Sequence, residues 1–357
     1  MTKAYPNLEG LRFLAAATVV LWHYQHFAFI GTSDTAVATN EQPLAQVLAP
    51  IYTFGQYAVQ VFWLLSGFIF FAKYAGAIAA GTVSAREFAL RRFSRLYPLH
   101  LVTMLSVLVL QHVHRMIADS YFVYERNSAI DVALHLVFAS QWPPHRSYSL
   151  NGPVWSVSLE VLAYATFFLA ARYLPRPYWL AIASPALLAW SLTNDSALGQ
   201  CVALFFLGGV AWVASSALRG VAVIVVTAVA LAWLGVLGHG MVQQAQPHAV
   251  LSYGGQLLLF TAVALLLVAL GALPQATGGL ARLLTWLGDL TYSSYLIHFP
   301  LQLLAVTLTT AMGTALDWRS PWLLAGYLAA TFTAARLVFD RFERPWQERL
   351  RTKAGRL

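Results

Sequence analysis

Long apolar stretches alternate with short polar ones along the whole chain. An α-helix rises about 1.5 Å per residue, so about 20 apolar residues cross the hydrocarbon core of a bilayer. Stretches of this kind predict ten membrane-spanning helices: 8–30, 51–73, 97–117, 153–174, 177–193, 197–216, 219–238, 249–272, 285–311 and 319–341. The shorter apolar stretch Asp131–Trp142 favours an interfacial or re-entrant helix. We therefore expect an all-α, polytopic membrane bundle, with one domain over 1–345 and a short basic tail over 346–357.

The composition supports this class of fold. Hydrophobic residues make up 59% of the chain and charged residues only 10%, whereas a soluble domain carries about 25% charged residues. A soluble enzyme of this length is therefore excluded, and a 14% aromatic content excludes a disordered chain. The single cysteine, Cys201, excludes an intrachain disulfide and a thiolate metal cluster.

The positive charges predict the orientation. Lys and Arg in short loops favour the cytoplasmic side of a membrane. With the N-terminus placed inside, 18 of the 22 Lys and Arg residues fall on the cytoplasmic side. The distribution predicts that both termini are cytoplasmic, and it explains the net charge of +8 without a nucleic-acid partner.

Two ionisable residues lie on one face of the first predicted helix. Arg12 and His23 are eleven residues apart, which corresponds to about three turns and about 16 Å along the axis. Ionisable groups at membrane depth are costly and often functional. The pair indicates a polar cavity, with Arg12 near the cytoplasmic surface and His23 near mid-membrane. The alternative is an Arg that reaches the lipid surface and a hydrogen-bonded structural His.

A basic helix is predicted after the second span. Ser84 and Glu87 have the spacing of a capping box, and we expect the helix to stop before Pro98. Arg92 falls inside its apolar face and Arg95 borders that face. A basic surface helix is usually a lipid-headgroup anchor, but an inward guanidinium needs an anion, so Arg92 and Arg95 are candidate phosphate ligands.

Two further polar residues interrupt predicted spans. Glu160 lies about two turns inside the helix that Pro153 begins, and a carboxylate there needs a partner or a proton. His298 lies beside Pro300, which should kink its helix. Structural hydrogen bonding is the alternative for both residues. His135, His145, His239 and His248 are expected at the surface.

Six segments resemble, in order, the motifs of the acyltransferase-3 family of integral membrane acyltransferases. They are Glu9–Arg12 with His23, Phe62–Phe68, Arg92–Pro98, Trp155–Glu160, Tyr295–His298 and Phe342–Pro345. The chain departs from the family pattern at Val161 and Leu162, where a second acid often follows the glutamate.

The resemblance implies a bacterial inner-membrane enzyme that transfers an acyl group, most often acetyl, from cytoplasmic acyl-coenzyme A (acyl-CoA) to a carbohydrate hydroxyl. The acceptor would be an exopolysaccharide or lipid-linked sugar unit, and no metal is expected. The expected site comprises catalytic His23, Glu160 and His298, donor-binding Arg12, Arg92 and Arg95, and substrate-binding Ser66, Trp155, Ser156 and Tyr295.

On this interpretation His23 is a general base on the acceptor hydroxyl, although it could instead accept the acyl group first. A secondary transporter or flippase for a sugar or polyprenyl-linked intermediate is the main alternative, because buried polar residues and broken spans suit transporters too. The sequence shows no two-fold repeat, which disfavours the transporter. A structural membrane subunit would leave the buried polar residues unexplained.

Overall fold

The structure, a computed structural model, describes residues 5–29, 39–174, 178–244 and 249–354. The described backbone is dominated by helices, which confirms the all-α prediction. The α-helices are α1 (Pro6–Trp22), α2 (Ala45–Phe54), α3 (Ala58–Phe70), α4 (Gly76–Ala79), α5 (Ala85–Ala118), α6 (Ala129–Leu136), α7 (Trp155–Tyr173), α8 (Tyr178–Thr193), α9 (Ala197–Ala217), α10 (Val221–Gln244), α11 (Tyr253–Ala272), α12 (Gly278–Ala311), α13 (Pro321–Val338) and α14 (Arg344–Ala354).

Eight helical stretches within the described residues are long and apolar enough to cross a membrane. The other two expected spans coincide with α1 and α8, which have 17 and 16 residues. A 3₁₀ helix over His23–Ala28 continues α1 directly. Because a 3₁₀ helix rises about 2 Å per residue, the two together extend about 37 Å, enough to span a bilayer. The end of the first expected span, at residue 30, lies outside the described residues.

Helix α5 corrects one boundary prediction. Ser84 caps its first turn by accepting a hydrogen bond from the Glu87 backbone N–H at 3.1 Å, as expected. The helix does not stop before Pro98 but continues to Ala118. The preference of the residue before proline for extended backbone is weak enough to be overridden inside a bundle, where proline within a helix is tolerated. The basic segment and the following span are therefore one continuous helix.

Helices α3 and α9 pack with their backbones in close contact. A Cβ atom on Gly67 would lie 1.7 Å from the Phe205 carbonyl oxygen, and one on Gly208 would lie 2.0 Å from the Leu64 carbonyl oxygen. Only glycine fits at either position. Gly67 belongs to the Phe62–Phe68 motif, so part of that motif serves helix packing rather than chemistry.

The segment between α5 and α7, which includes α6, packs against the bundle. His135 of α6 is buried there, contrary to the surface position expected for it. His100 of α5 bonds the His135 carbonyl at 2.8 Å, and the His135 ring contacts the Ser149 hydroxyl at 3.0 Å. Asp131 accepts hydrogen bonds from the hydroxyls of Ser128 and Ser147 at 2.6 and 2.8 Å. The hydrophobic pattern of this segment predicts only a short amphipathic helix. It does not predict these hydrogen bonds, because most of them join residues that are distant in the sequence.

The same segment contains Asn151, which stabilises α12. Pro300 has no N–H to donate to the carbonyl of Leu296, four residues earlier. The side-chain amide of Asn151 donates to that carbonyl at 2.9 Å instead. Helix α12 therefore continues through Pro300 with the freed carbonyl paired.

Candidate functional site

A cavity of about 450 Å³ lies between α1, α3, α5, α7 and α12. Its lining on α3 runs from Phe62 to Phe70 and continues to Lys73 in the π-helical turn Phe71–Ala75. Eleven residues of helix correspond to about 16 Å. One end of the cavity, here named the basic mouth, is lined by Arg12, Lys73, Arg91, Arg92 and Arg95. The other, the inner end, is lined by Phe62, Trp63, Ser156, Val157 and Tyr295.

Irregular helical turns shape the basic mouth. The π-helical turn after α3 holds Lys73 and Tyr74, and a second one, Phe339–Glu343, joins α13 to α14 and contributes Phe339 to the lining. Single π-helical turns inside helices occur frequently at functional sites. Sequence periodicity does not reveal such insertions, because each adds only one residue to a turn.

Arg92 is held in place by aromatic side chains rather than by a carboxylate. Its Nη2 donates to the Tyr74 hydroxyl at 2.8 Å, and its guanidinium carbon lies 4.8 Å from the Phe70 ring centroid. The buried Nε of Arg92 has no hydrogen-bond partner among the described residues. Arg92 is therefore fixed in orientation while part of its donor capacity is unused.

The two other predicted arginines differ from Arg92 in their partners. Arg12 pairs with Glu9 on the same helix at 2.7 Å. Arg95 forms no ion pair within the described part of the chain, although Arg12, Glu343 and Arg92 act on it electrostatically. The cavity lining holds five basic side chains and three acidic ones, Glu9, Glu160 and Asp289. The remaining excess of positive charge suits a polyanionic ligand.

Glu160 lies in the middle of the cavity wall. Its carboxyl group is beside the hydroxyls of Ser66 and Tyr164, and Arg12 and Arg92 act on it electrostatically. Ser66 lines the same cavity. Glu160, Ser66, Arg12 and Arg92 therefore share one cavity, although His23, which was expected to face the same space as Arg12, does not line it.

A second buried carboxylate was not assigned a role from the sequence. Glu343, in the Phe342–Pro345 motif, is 3% exposed and accepts hydrogen bonds from Ser293 at 2.5 Å and Gln347 at 2.9 Å. The motif indicated its importance, but only the packing of α12 against the end of α13 identifies its partners. Glu343 fixes this joint close to Arg95.

The inner end holds a short chain of hydrogen bonds. The Tyr295 hydroxyl lies 2.6 Å from the Pro153 carbonyl oxygen and 2.7 Å from the Ser156 hydroxyl. Trp155 does not line the cavity but packs edge-on against Trp63, which does, with ring centroids 5.8 Å apart. Trp155 therefore supports the wall rather than facing a ligand in the cavity.

His23 and His298 lie together, although neither is among the residues that line the cavity. Their ring centroids are 4.7 Å apart, and Tyr295, one turn before His298, has its ring 6.1 Å from the His298 ring. The structure thus brings the two histidines predicted from distant segments into contact, behind the inner end.

The protonation of both rings follows from their backbone contacts. His23 Nδ1 lies 2.8 Å from the Val19 carbonyl oxygen, and His298 Nδ1 lies 3.2 Å from that of Ser294. A carbonyl oxygen only accepts, so each neutral ring is assigned its proton on Nδ1 and its lone pair on Nε2. The buried Nε2 of His298 has no partner among the described residues. Each of the two adjacent rings therefore has an unprotonated Nε2 that can accept a proton.

The chain shares sequence with known acyltransferases. Residues 5–339 match the profile of the acyltransferase domain family, acyltransferase-3. The acyltransferase MdmB of Streptomyces mycarofaciens is 32% identical over 184 residues, a match that covers 49% of this chain and 43% of the length of that relative. No solved structure gives a significant match. Because the profile extends over nearly the whole chain, from α1 to the start of the second π-helical turn, the protein belongs to the acyltransferase-3 family.

Proposed function

We propose that the protein transfers an acyl group, acetyl in the first instance, from acyl-CoA to a hydroxyl of a carbohydrate acceptor. The observation that carries the proposal is the basic mouth, where a positioned Arg92 has unused donor capacity at one end of a deep cavity. Family membership favours this enzyme over the transporter alternative.

Arg12, Arg92 and Arg95 are the proposed ligands of the CoA phosphates. Guanidinium groups bind phosphate oxygens through paired, charge-assisted hydrogen bonds. The basic mouth and the inner end lie about 16 Å apart along α3, a distance that suits an extended pantetheine arm. The excess of positive charge also fits a cytoplasmic donor, in line with the expected orientation of the chain.

His23 is the proposed general base. In the reaction the acceptor oxygen bonds to the acyl carbon, the carbon–sulfur bond breaks, and the hydroxyl proton ends on the sulfur of CoA. His23 Nε2 takes the proton first, and the imidazole can then return it to the thiolate. Neither histidine lines the cavity, so this proposal requires side chains between the inner end and the histidine pair to move during the cycle.

Glu160 and His298 are proposed to support this step. His298 presents a second basic nitrogen beside His23, so it can orient the acceptor hydroxyl or stabilise the charge that develops on His23. Glu160 lies between the basic mouth and the inner end and can orient the donor arm. Ser66, Ser156 and Tyr295 are proposed to contact substrate, whereas Trp155 acts through Trp63.

The test uses the purified protein in lipid nanodiscs. Acetyl-CoA binding is measured by calorimetry, and CoA release is measured with a panel of mono- and oligosaccharides and with lipid-linked saccharides. We expect acetyl-CoA to bind without acceptor and CoA release to rise with a carbohydrate acceptor. Absence of acetyl-CoA binding, or uptake of saccharide into sealed vesicles without CoA release, would overturn the proposal and favour a transporter.

A further inference from the structure

The hydrogen bonds at the inner end of the cavity fix the direction of one another. The Tyr295 hydroxyl carries one proton and lies 2.6 Å from the Pro153 carbonyl oxygen, which can only accept. That proton is therefore committed to Pro153. The second contact of Tyr295, at 2.7 Å to the Ser156 hydroxyl, must then be donated by Ser156.

This direction determines what Ser156 offers to the cavity. A serine hydroxyl has one proton and two lone pairs. Its proton points at Tyr295, and no donor to its oxygen is found among the described residues. Ser156 is 5% exposed and lines the inner end. A buried hydroxyl in this state can accept a hydrogen bond from a ligand in the cavity, because its oxygen still has free lone pairs.

We propose that Ser156 accepts a hydrogen bond from the pantetheine amide N–H nearest the thioester, with Tyr295 as the positioning residue that holds Ser156 in this state. The inference rests on the proposed function. The inner end lies about 16 Å from the basic mouth along α3, the distance at which the thioester end of an extended donor arm would lie. The other lining groups here, Phe62, Trp63 and Val157, have side chains that suit the methylene segments of the arm.

The experiment compares two donors within each variant. One is acetyl-CoA, and the other is an analogue with an ester oxygen in place of the N–H of that amide. Calorimetry gives both dissociation constants. One hydrogen bond of this kind changes affinity by about 3- to 10-fold, so the parent protein should bind the analogue more weakly by that factor.

Ser156→Ala removes the acceptor, so its ratio of the two dissociation constants should fall to about 1, while Ser156→Thr should keep the parental ratio. Tyr295→Phe removes the acceptor of the Ser156 proton, so the Ser156 hydroxyl is no longer held in the orientation that accepts from the donor. The ratio should then be below that of the parent. Thr166→Ala is the matched control on α7, because the Thr166 hydroxyl bonds only the Leu162 carbonyl of its own helix, at 2.9 Å. It should keep the parental ratio.

The ratio separates this role from a structural one, because a general loss of packing weakens both donors equally. A parental ratio in Ser156→Ala would overturn the assignment of Ser156, and a parental ratio in Tyr295→Phe would overturn that of Tyr295. If the parent bound both donors equally, this inference alone would fail. If it bound neither, the proposed function would fail first.

Discussion

Asn151 supplies the hydrogen bond that Pro300 withholds from Leu296. The side-chain amide donates to the Leu296 carbonyl oxygen at 2.9 Å across 145 residues of sequence. Asn151 is fully buried, and it immediately precedes the Gly-Pro turn that leads into α7. One side chain therefore couples the start of α7 to the stretch of α12 that carries Tyr295 and His298.

The first prediction concerns this pair. Asn151→Leu should lower the free energy of unfolding by about 1–3 kcal/mol, because it leaves a buried carbonyl unpaired. Pro300→Ala restores a backbone N–H for Leu296, so the double variant should lose less than the sum of the two single losses. Thermal and denaturant unfolding of the four proteins in detergent measures this coupling. Strictly additive losses would show that Asn151 does not compensate for Pro300.

The second prediction concerns the contact of α3 with α9. Gly67→Ala places a Cβ atom 1.7 Å from the Phe205 carbonyl oxygen, so the helices must separate. We expect the free energy of unfolding to fall by about 1–3 kcal/mol, with a lower melting temperature in detergent. Gly76→Ala, where nothing lies within 4 Å of the new atom, is the control and should melt no lower than the parent, because alanine favours a helix more than glycine does. Equal melting of both variants would contradict this account of the motif.

The third prediction concerns pH. The pKa of His135 is lowered to about 4, mainly by burial and also by the nearby His100, while Asp131 and the contact with Ser149 only partly oppose this shift. The pKa of an exposed histidine is about 6.5. Between these values the unfolded chain binds more protons than the folded chain, so stability rises with pH. Acidification from pH 7.5 to 5 should remove about 2 kcal/mol of stability through this residue.

The check is the difference in melting temperature between pH 7.5 and pH 5 for the parent and for His135→Gln. The variant has no titrating group at this position, so its melting temperature should depend less on pH. Asp131 does not interfere in this range, because burial raises its pKa but hydrogen bonds from Ser128 and Ser147 lower it more, so the net shift is downward. An equal pH dependence in both proteins would refute the role of His135.

The sequence predicts those features of the structure that depend on residues close together along the chain. Apolar length predicted the helical bundle, and helical periodicity placed Arg92 on an inward face, where it packs on Phe70. Periodicity gives the face of a helix but not its neighbour. The contact of His23 with His298, the pairing of Asn151 with Leu296 and the burial of Glu343 all depend on tertiary packing. The same limit explains why His135 was expected at the surface.

The fourth prediction is the orientation. A reporter fused after Leu357 should indicate the cytoplasm, whereas fusions within 31–50 and 119–129 should indicate the opposite side. The physical reason is the concentration of Lys and Arg on one side of the predicted spans. Paired alkaline phosphatase and fluorescent protein fusions make the measurement. A C-terminus on the outer side would move the basic mouth away from cytoplasmic CoA and remove the proposed donor.

The fifth prediction separates chemistry from donor binding. His23 is assigned to the chemical step, so His23→Ala should reduce turnover by about 10²- to 10⁴-fold and leave acetyl-CoA affinity nearly unchanged. Arg92 and Arg95 are assigned to phosphates remote from the reacting carbon. Contacts made equally in the ground and transition states chiefly change affinity, so each Arg→Ala change should weaken binding by about 10- to 150-fold.

Arg92→Lys and Arg95→Lys are the conservative variants, and they should recover only part of the affinity because an ammonium group lacks the fixed planar pair of donors that binds two phosphate oxygens side by side. Calorimetry with acetyl-CoA, beside turnover at saturating donor, distinguishes the two classes of effect. Arg319→Ala is a control: Arg319 pairs with Glu41 and is not among the residues that line the cavity. Normal turnover in His23→Ala, or parental acetyl-CoA binding in both Arg→Ala variants, would show that these residues do not hold the assigned roles.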